Sequence, residues 1–270
     1  MIADPWERTM LAVALGAART VPVTWLVPVL GGPRVSSQVR LGLGVLLAVL
    51  CLPVLVPAVD AAATTPASAG WGPVWWFLLL ARELMVGVTV GLCAAAVFRA
   101  AEAAGRLVDV ARGANSVGLL SAEAGERGSA TGDLYLLVAT VLFLELGGLR
   151  LMVSAMARSY EAVPLGVAPT REALRSAAGL VLLATGRLIE SAVVLASPVI
   201  VAMVLADVVL GVVGRMVPQI PVYFTALPAK ALLGLGMVLM GLGALDAAWT
   251  AGFPSWMALI DRAFLLWRPR

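Results

Sequence analysis

Six long apolar runs constrain this chain more than anything else in it. They cover about residues 10–30, 41–59, 73–98, 134–156, 188–213 and 228–251. Each approaches or exceeds the ~18–20 residues that a helix needs to cross a bilayer core. They are too long for strands and lack the alternation of barrel strands, so helix is the expected structure throughout. Composition agrees: 61% of the 270 residues are hydrophobic and only 13% are charged. Water-soluble domains average about 25% charged and 45–50% apolar. The expected fold is therefore all-α, a multi-helix membrane or membrane-complex protein with about six apolar helices plus amphipathic ones.

The same composition excludes several kinds of chemistry. With no histidine in the chain, Ser-His-Asp and Cys-His nucleophile systems, imidazole metal sites and histidine proton relays are ruled out. Cys51 and Cys93 both sit inside apolar runs, where a free thiol behaves as a small hydrophobe. No catalytic, cofactor or metal site is expected. The formal net charge is +3, but the bases are scattered, and all but Lys230 are arginine. A nucleic-acid surface is not expected. The start, Met1 to Arg8, carries Asp4 and Glu7 ahead of the first run, unlike a cleavable leader with its basic n-region. The chain is expected to stay whole.

Loop charges do not orient these runs. In a simple six-span topology the loop bases divide evenly between the two sides, so the positive-inside rule gives no answer. Charges inside the runs add a second difficulty: Arg19, Arg82, Glu83, Glu145, Arg150, Glu190, Asp207 and Asp246 all lie there. Facing lipid at about 2.5–3.5 kcal/mol apiece, they would cost roughly 20 kcal/mol or more. They cannot all face lipid. Arg82 and Glu83 are neighbours, about 100° apart on a helix, and are expected to find separate partners. One turn beyond Glu83, Gly87 and Gly91 give a small-xxx-small face on which another helix can approach closely, and Glu83 is expected to be paired there. Pro22, Pro28, Pro53, Pro57 and Pro198 should kink or break their helices.

A polar interruption runs from Arg99 to Asp133 and reads as a loop; its Gly-rich part contains Gly113, Asn115, Ser116, Gly118, Gly125 and Gly128. Pro169 to Arg187 reads as an amphipathic lead-in to the fifth run. Trp256, Leu259, Ile260, Ala263, Phe264 and Trp267 share one face of a C-terminal amphipathic tail. Two parts are expected: 1–168, an N-terminal helical part that includes the middle loop 99–133, and 169–270, a C-terminal helical hairpin with its tail.

At Arg215 the residues begin to resemble a known family. Arg215-Met216-Val217-Pro218-Gln219, then Phe224, then Pro228-Ala229-Lys230, are similar to the C-terminal signature of the type III secretion export gate protein family of flagellar FliR and injectisome SctT. Other stretches fit the family in order. These are Arg19, Pro28 and Arg40; Glu83 to Gly87; Ala104 to Asp109 with Gly113; and Gly147-Gly148, Ser159-Tyr160 and Pro164-Leu165-Gly166. The glycine pair and Ser159-Tyr160 lean to the injectisome branch. Two features depart from the family pattern: Pro221 stands where Asn is frequent, and the middle loop lacks the usual Asp-Pro.

The resemblance implies a non-enzymatic subunit of an inner-membrane gate that passes unfolded proteins. It implies SctR/FliP-like and SctS/FliQ-like gate subunits as partners, with the SctU/FlhB-like switch protein and the SctV/FlhA-like export protein beside them. It assigns the middle loop to plugging the resting channel, and Glu83, Gly87, Gly91, Arg215, Pro218, Gln219, Phe224 and Lys230 to subunit packing. The alternative from another class is a proton- or ion-coupled secondary transporter using Glu83, Glu145 or Asp207, for which no internal repeat is visible. An intramembrane aspartyl protease is disfavoured, because Gly243 to Asp246 lacks the Gly-x-Gly-Asp pattern.

Overall fold

The computed structural model describes residues 4–32, 35–63, 66–113, 129–163, 165, 171–217, 219 and 222–267. Among them every regular element is helical. In chain order these are α1 (Pro5–Leu26), α2 (Pro28–Gly31), α3 (Ser37–Leu50), α4 (Leu52–Ala63) and α5 (Pro66–Ala111). They continue with α6 (Ala130–Glu145), α7 (Gly148–Ala162), α8 (Arg171–Met216) and α9 (Val222–Trp267). The fold is all-α. Among the described residues four helices are long and apolar enough to cross a membrane, and up to six spans result if each of two bent pairs counts as one.

The two bends have different causes. Between α3 and α4 the chain turns by 70° at Cys51, and Pro53 follows in the first turn of α4, where a missing N–H costs nothing. Between α6 and α7 the turn is 73° and contains no proline. Gly147 makes it, at φ 69°, a left-handed conformation that favours glycine. The proline expectations divide accordingly. Pro28 starts α2 after the break at Val27, but α1, α4 and α8 continue through Pro22, Pro57 and Pro198. In α8, Pro198 cannot donate to the Val194 carbonyl, and the Ser197 hydroxyl donates there at 2.8 Å.

The expected loop 99–133 needs correction. Residues 99–111 are the last turns of α5, and Ala130 to Asp133 are the first turn of α6. Polarity here marks a helix face. Glu102 pairs with Arg99 three residues earlier and Arg106 four residues later, while Ala100, Ala101, Ala104 and Val108 are buried. Gly113, at φ 74°, stands beyond the helix end as a left-handed terminator. The amphipathic lead-in expected before the fifth run is continuous with it in α8.

Compactness divides the chain into two units. The first holds residues 1–96, 143–185 and 254–270; the second holds 97–142 and 186–253. Both the N-terminal part and the C-terminal hairpin contribute to each.

In the first unit α1 is the central post. The Thr20 hydroxyl donates to Gly44 O of α3 at 2.6 Å, and the Thr24 hydroxyl to Arg40 O at 3.0 Å. Gly44 makes this approach possible, because a Cβ there would lie 2.9 Å from Val21 Cα. Leu15, Val23, Leu47, Leu55 and Val59 close the apolar core around these bonds.

In the second unit α8 and α9 run antiparallel. Asp207 of α8 pairs with Lys230 of α9, while Pro198 and Val199 share a cavity wall with Met237 and Gly241.

Candidate functional site

The densest polar construction in the first unit is centred on Arg19 of α1. Its Nε donates to Glu83 Oε2 of α5 at 2.6 Å, and Nη2 lies 2.5 Å from the same oxygen. Nη1 donates to the Ser159 hydroxyl of α7 at 3.1 Å, and Nη2 to the Val163 carbonyl at 3.1 Å. The guanidinium lies over the Tyr160 ring, 4.2 Å from its centroid, and the Tyr160 hydroxyl donates to Gly16 O at 3.1 Å. Arg19, Glu83 and Ser159 are fully buried. Every nitrogen of this guanidinium has an acceptor, which is the condition for keeping such a charge away from water.

Gly87 makes the centre possible. The backbone carbonyl of Arg19 occupies the space that a side chain at Gly87 would need, so α1 and α5 touch main chain to main chain. One turn on, a Cβ at Gly91 would lie 3.2 Å from Val23 Cα and 2.9 Å from Leu26 Cδ1. The small-residue face and the pairing of Glu83 are as the sequence predicts, but the partner is α1 of the same chain. Glu83, Gly87 and Gly91 therefore pack internally and leave no surface there for another subunit.

Arg82 also departs from expectation. Its Nη1 donates to Glu83 Oε1 at 3.2 Å, so the two neighbours pair with each other, and Arg82 and Arg19 share one carboxylate. A flexible arginine can curl back across 100° of helix, which an estimate from Cα directions overlooks.

The second unit has its own polar knot, where α5 ends and α6 begins. Asp109 is buried and accepts from the Ser129 hydroxyl at 2.6 Å, Thr131 N–H at 3.1 Å, the Thr131 hydroxyl at 2.5 Å and Arg112 Nη1 at 3.4 Å. Ser129 Oγ in turn accepts from Gly132 N–H at 2.9 Å, the usual bond of a helix N-cap. A carboxylate beside the first turn of α6 also complements its dipole. Gly105 permits the approach, since a Cβ there would lie 2.6 Å from Gly132 N and Cα. In the sequence Asp109 stands out only as a motif position, and nothing there marks Arg112, Ser129 and Thr131 as its partners.

The other predicted site residues are more scattered. Gly113 ends α5. Asn115, Ser116, Gly118, Gly125, Gly128 and Pro218 lie outside the described residues. Arg215 is exposed in the last turn of α8, Gln219 is exposed in the α8–α9 connection, and Phe224 belongs to the first turn of α9. Lys230 Nζ pairs with Asp207 at 2.6 Å. Of the remaining charges inside apolar runs, Glu145, Arg150, Glu190 and Asp246 are exposed on this chain and form no ion pair among the described residues. Among those residues no group of three or more cysteines and acids is placed to hold a metal.

Such an arrangement locks helices together. The sequence pattern described as "Bacterial export proteins, family 1" matches residues 10–255. This chain belongs to that family. It is 29% identical over 216 residues to the flagellar biosynthetic protein FliR of Pectobacterium carotovorum subsp. carotovorum, covering 80% of this chain and 77% of that one. It is 28% identical over 235 residues to the Yop proteins translocation protein T of Yersinia pestis, covering 86% and 85%. The secretion system apparatus protein SsaT of Salmonella typhimurium is 30% identical over 162 residues, 59% of this chain and 61% of its own length. Flagellar and secretion relatives match at the same level, as a family spanning both branches requires. The centres lie inside the matched stretch: Arg19, Glu83, Asp109 and Ser159 all fall within residues 10–255.

Proposed function

We propose that this chain is a non-enzymatic subunit of the inner-membrane export gate of a type III protein secretion system. It helps to form and close the channel through which unfolded substrates pass. Its family and the export and secretion names of its relatives support the reading. The Gly147-Gly148 and Ser159-Tyr160 stretches favour the injectisome branch.

One observation carries it physically. The apolar span within α8, Leu174–Met216, has 43 residues, and only 17% of its most apolar window is buried by the rest of the chain. At ~1.5 Å per residue that is about 65 Å of helix, against ~30 Å of bilayer hydrocarbon. Exposed Ile189, Val194, Val201, Leu205, Val209 and Met216 extend along it. Lipid can cover about half of such a length. Protein must cover the remainder, so SctR/FliP-like and SctS/FliQ-like subunits lie against it, with the SctU/FlhB-like and SctV/FlhA-like proteins as further neighbours. Arg215, Pro218, Gln219, Phe224 and Lys230, near the turn of the hairpin, belong to this packing surface. Residues 113–128 serve the resting seal of the channel.

Co-expression tests the reading. With the other gate subunits the chain should enter one discrete complex, and without them it should aggregate in detergent. A monodisperse, fully helical monomer that ignores those subunits would contradict it.

A further inference from the structure

Arg112 belongs to the Asp109 knot, yet hydrogen bonding explains only part of its position. Nη1 donates to Asp109 Oδ1 at 3.4 Å and to the Thr131 hydroxyl at 3.2 Å. Its Nε is buried and makes no hydrogen bond. A buried, unpaired N–H has an energetic cost and calls for an explanation. The explanation lies on α9: a Cβ at Gly234 would sit 2.5 Å from Arg112 Cγ and Cδ and 2.6 Å from Nε. The stem of Arg112 therefore rests on bare backbone of α9. Gly236, two residues on, has nothing within 4 Å of where its Cβ would be.

Three helix segments of the second unit thus meet at one side chain. The last turn of α5 supplies Asp109 and the residue just beyond it is Arg112, the first turn of α6 supplies Thr131, and α9 supplies the floor at Gly234. The bonds to Asp109 and Thr131 are directional and the packing on Gly234 is close, so a shift of α9 of about an ångström towards Arg112 strains its bond to Thr131 or carries the α5–α6 junction with it. The α8–α9 hairpin also carries the large apolar surface that the chain itself leaves uncovered.

We propose that Arg112 is a positioning residue that transmits the placement of the α8–α9 hairpin to the junction of α5 and α6. Docking of gate subunits on the hairpin then sets how the two helix ends are held. This inference rests on the gate reading for the identity of what docks, but the interlock itself lies within one unit of this chain.

The test uses the assembled complex with spin labels in place of Val110 and Leu134, two exposed residues on the helices that flank the junction. Cys51 and Cys93 are buried and stay unlabelled. The unaltered junction should give a single narrow inter-label distance. Gly234→Leu should broaden or shift that distribution by several ångströms, while Gly236→Leu should leave it unchanged. Arg112→Ala should broaden it to a similar extent, and adding Gly234→Leu to Arg112→Ala should produce no further change, because the clashing side chain is gone. Should Gly234→Leu alone destabilise the complex, Gly234→Ala, which intrudes less, gives the same comparison at smaller amplitude. Identical distributions for the Gly234 and Gly236 variants would overturn the interlock, as would additive effects of the Gly234 and Arg112 changes. Failure of the gate reading looks different: no complex with gate subunits forms even from the unaltered chain.

Discussion

Helices α5 and α8 are both 46 residues long and both rich in apolar side chains, yet they are used in opposite ways. Within α5 the span Val74–Ala111 has 72% of its most apolar window buried by its own chain, against 17% for the span within α8. The difference follows from small residues and charge. Along α5, Gly87, Gly91 and Gly105 let α1 and α6 approach to backbone contact, and Glu83 and Asp109 supply carboxylates that draw those helices in. At Gly179, Gly186 and Gly211 of α8 a Cβ would meet nothing within 4 Å. Similar apolar content therefore does not imply a similar role. One helix is buried by its own chain, and the other is left mostly exposed by it.

Three substitutions can break or sharpen that contrast. The largest effect should come from Glu83→Gln, which leaves the buried Arg19 and Arg82 sharing a neutral amide. Removing one partner of a buried ion pair costs about 3–5 kcal/mol, enough to abolish most folded protein. Thermal unfolding of the purified complex should show the loss directly. The Arg19→Met, Glu83→Leu double variant should recover only part of it, because Arg82 also uses that carboxylate.

Gly87→Leu comes next. The new side chain has to displace the Arg19 main chain, an overpacking that costs about 1–3 kcal/mol or more and pulls Arg19 away from Glu83. Leu84→Ala, at an exposed position of the same helix, is the control and should be nearly silent. If the two variants assembled equally well, the α1–α5 contact would not be what organises the first unit.

The smallest effect should follow Lys230→Gln. Its partner Asp207 is more than half exposed on this chain, and exposed pairs contribute about 0–1 kcal/mol. In the purified complex the stability change should be barely measurable. A loss of clearly more than about 1 kcal/mol there would place the pair under a neighbouring subunit.

Much of this architecture was legible in the sequence, and the gaps have physical causes. Apolar runs of twenty or more residues have one structural solution in a membrane complex, so the all-α fold follows from them. The approach of a helix to Gly87 and Gly91 was equally legible, because small residues at that spacing mark a contact whoever supplies the other side. Arg19 as the partner of Glu83 was not. The two lie 64 positions apart, and Arg82 and Arg150 stood as rival bases. Proline was an incomplete guide to bends, since the sharpest turn depends on a positive φ at Gly147 within an ordinary Leu-Gly-Gly-Leu sequence. The polar stretch after Arg99 hides its helix in the sequence, because i,i+3 and i,i+4 ion pairs put charges on a helix as readily as on a loop.

The central claim is that protein, as well as lipid, covers the apolar face of α8. Photo-crosslinking in the native membrane tests it most directly, with a benzophenone side chain placed in turn at the exposed positions Ile189, Val201 and Val213. These sites extend over about 36 Å at ~1.5 Å per residue, more than the ~30 Å hydrocarbon thickness. At least one end of the series should form adducts with other export-gate subunits, and should lose them when those subunits are absent. Lipid adducts alone at all three positions would contradict the account.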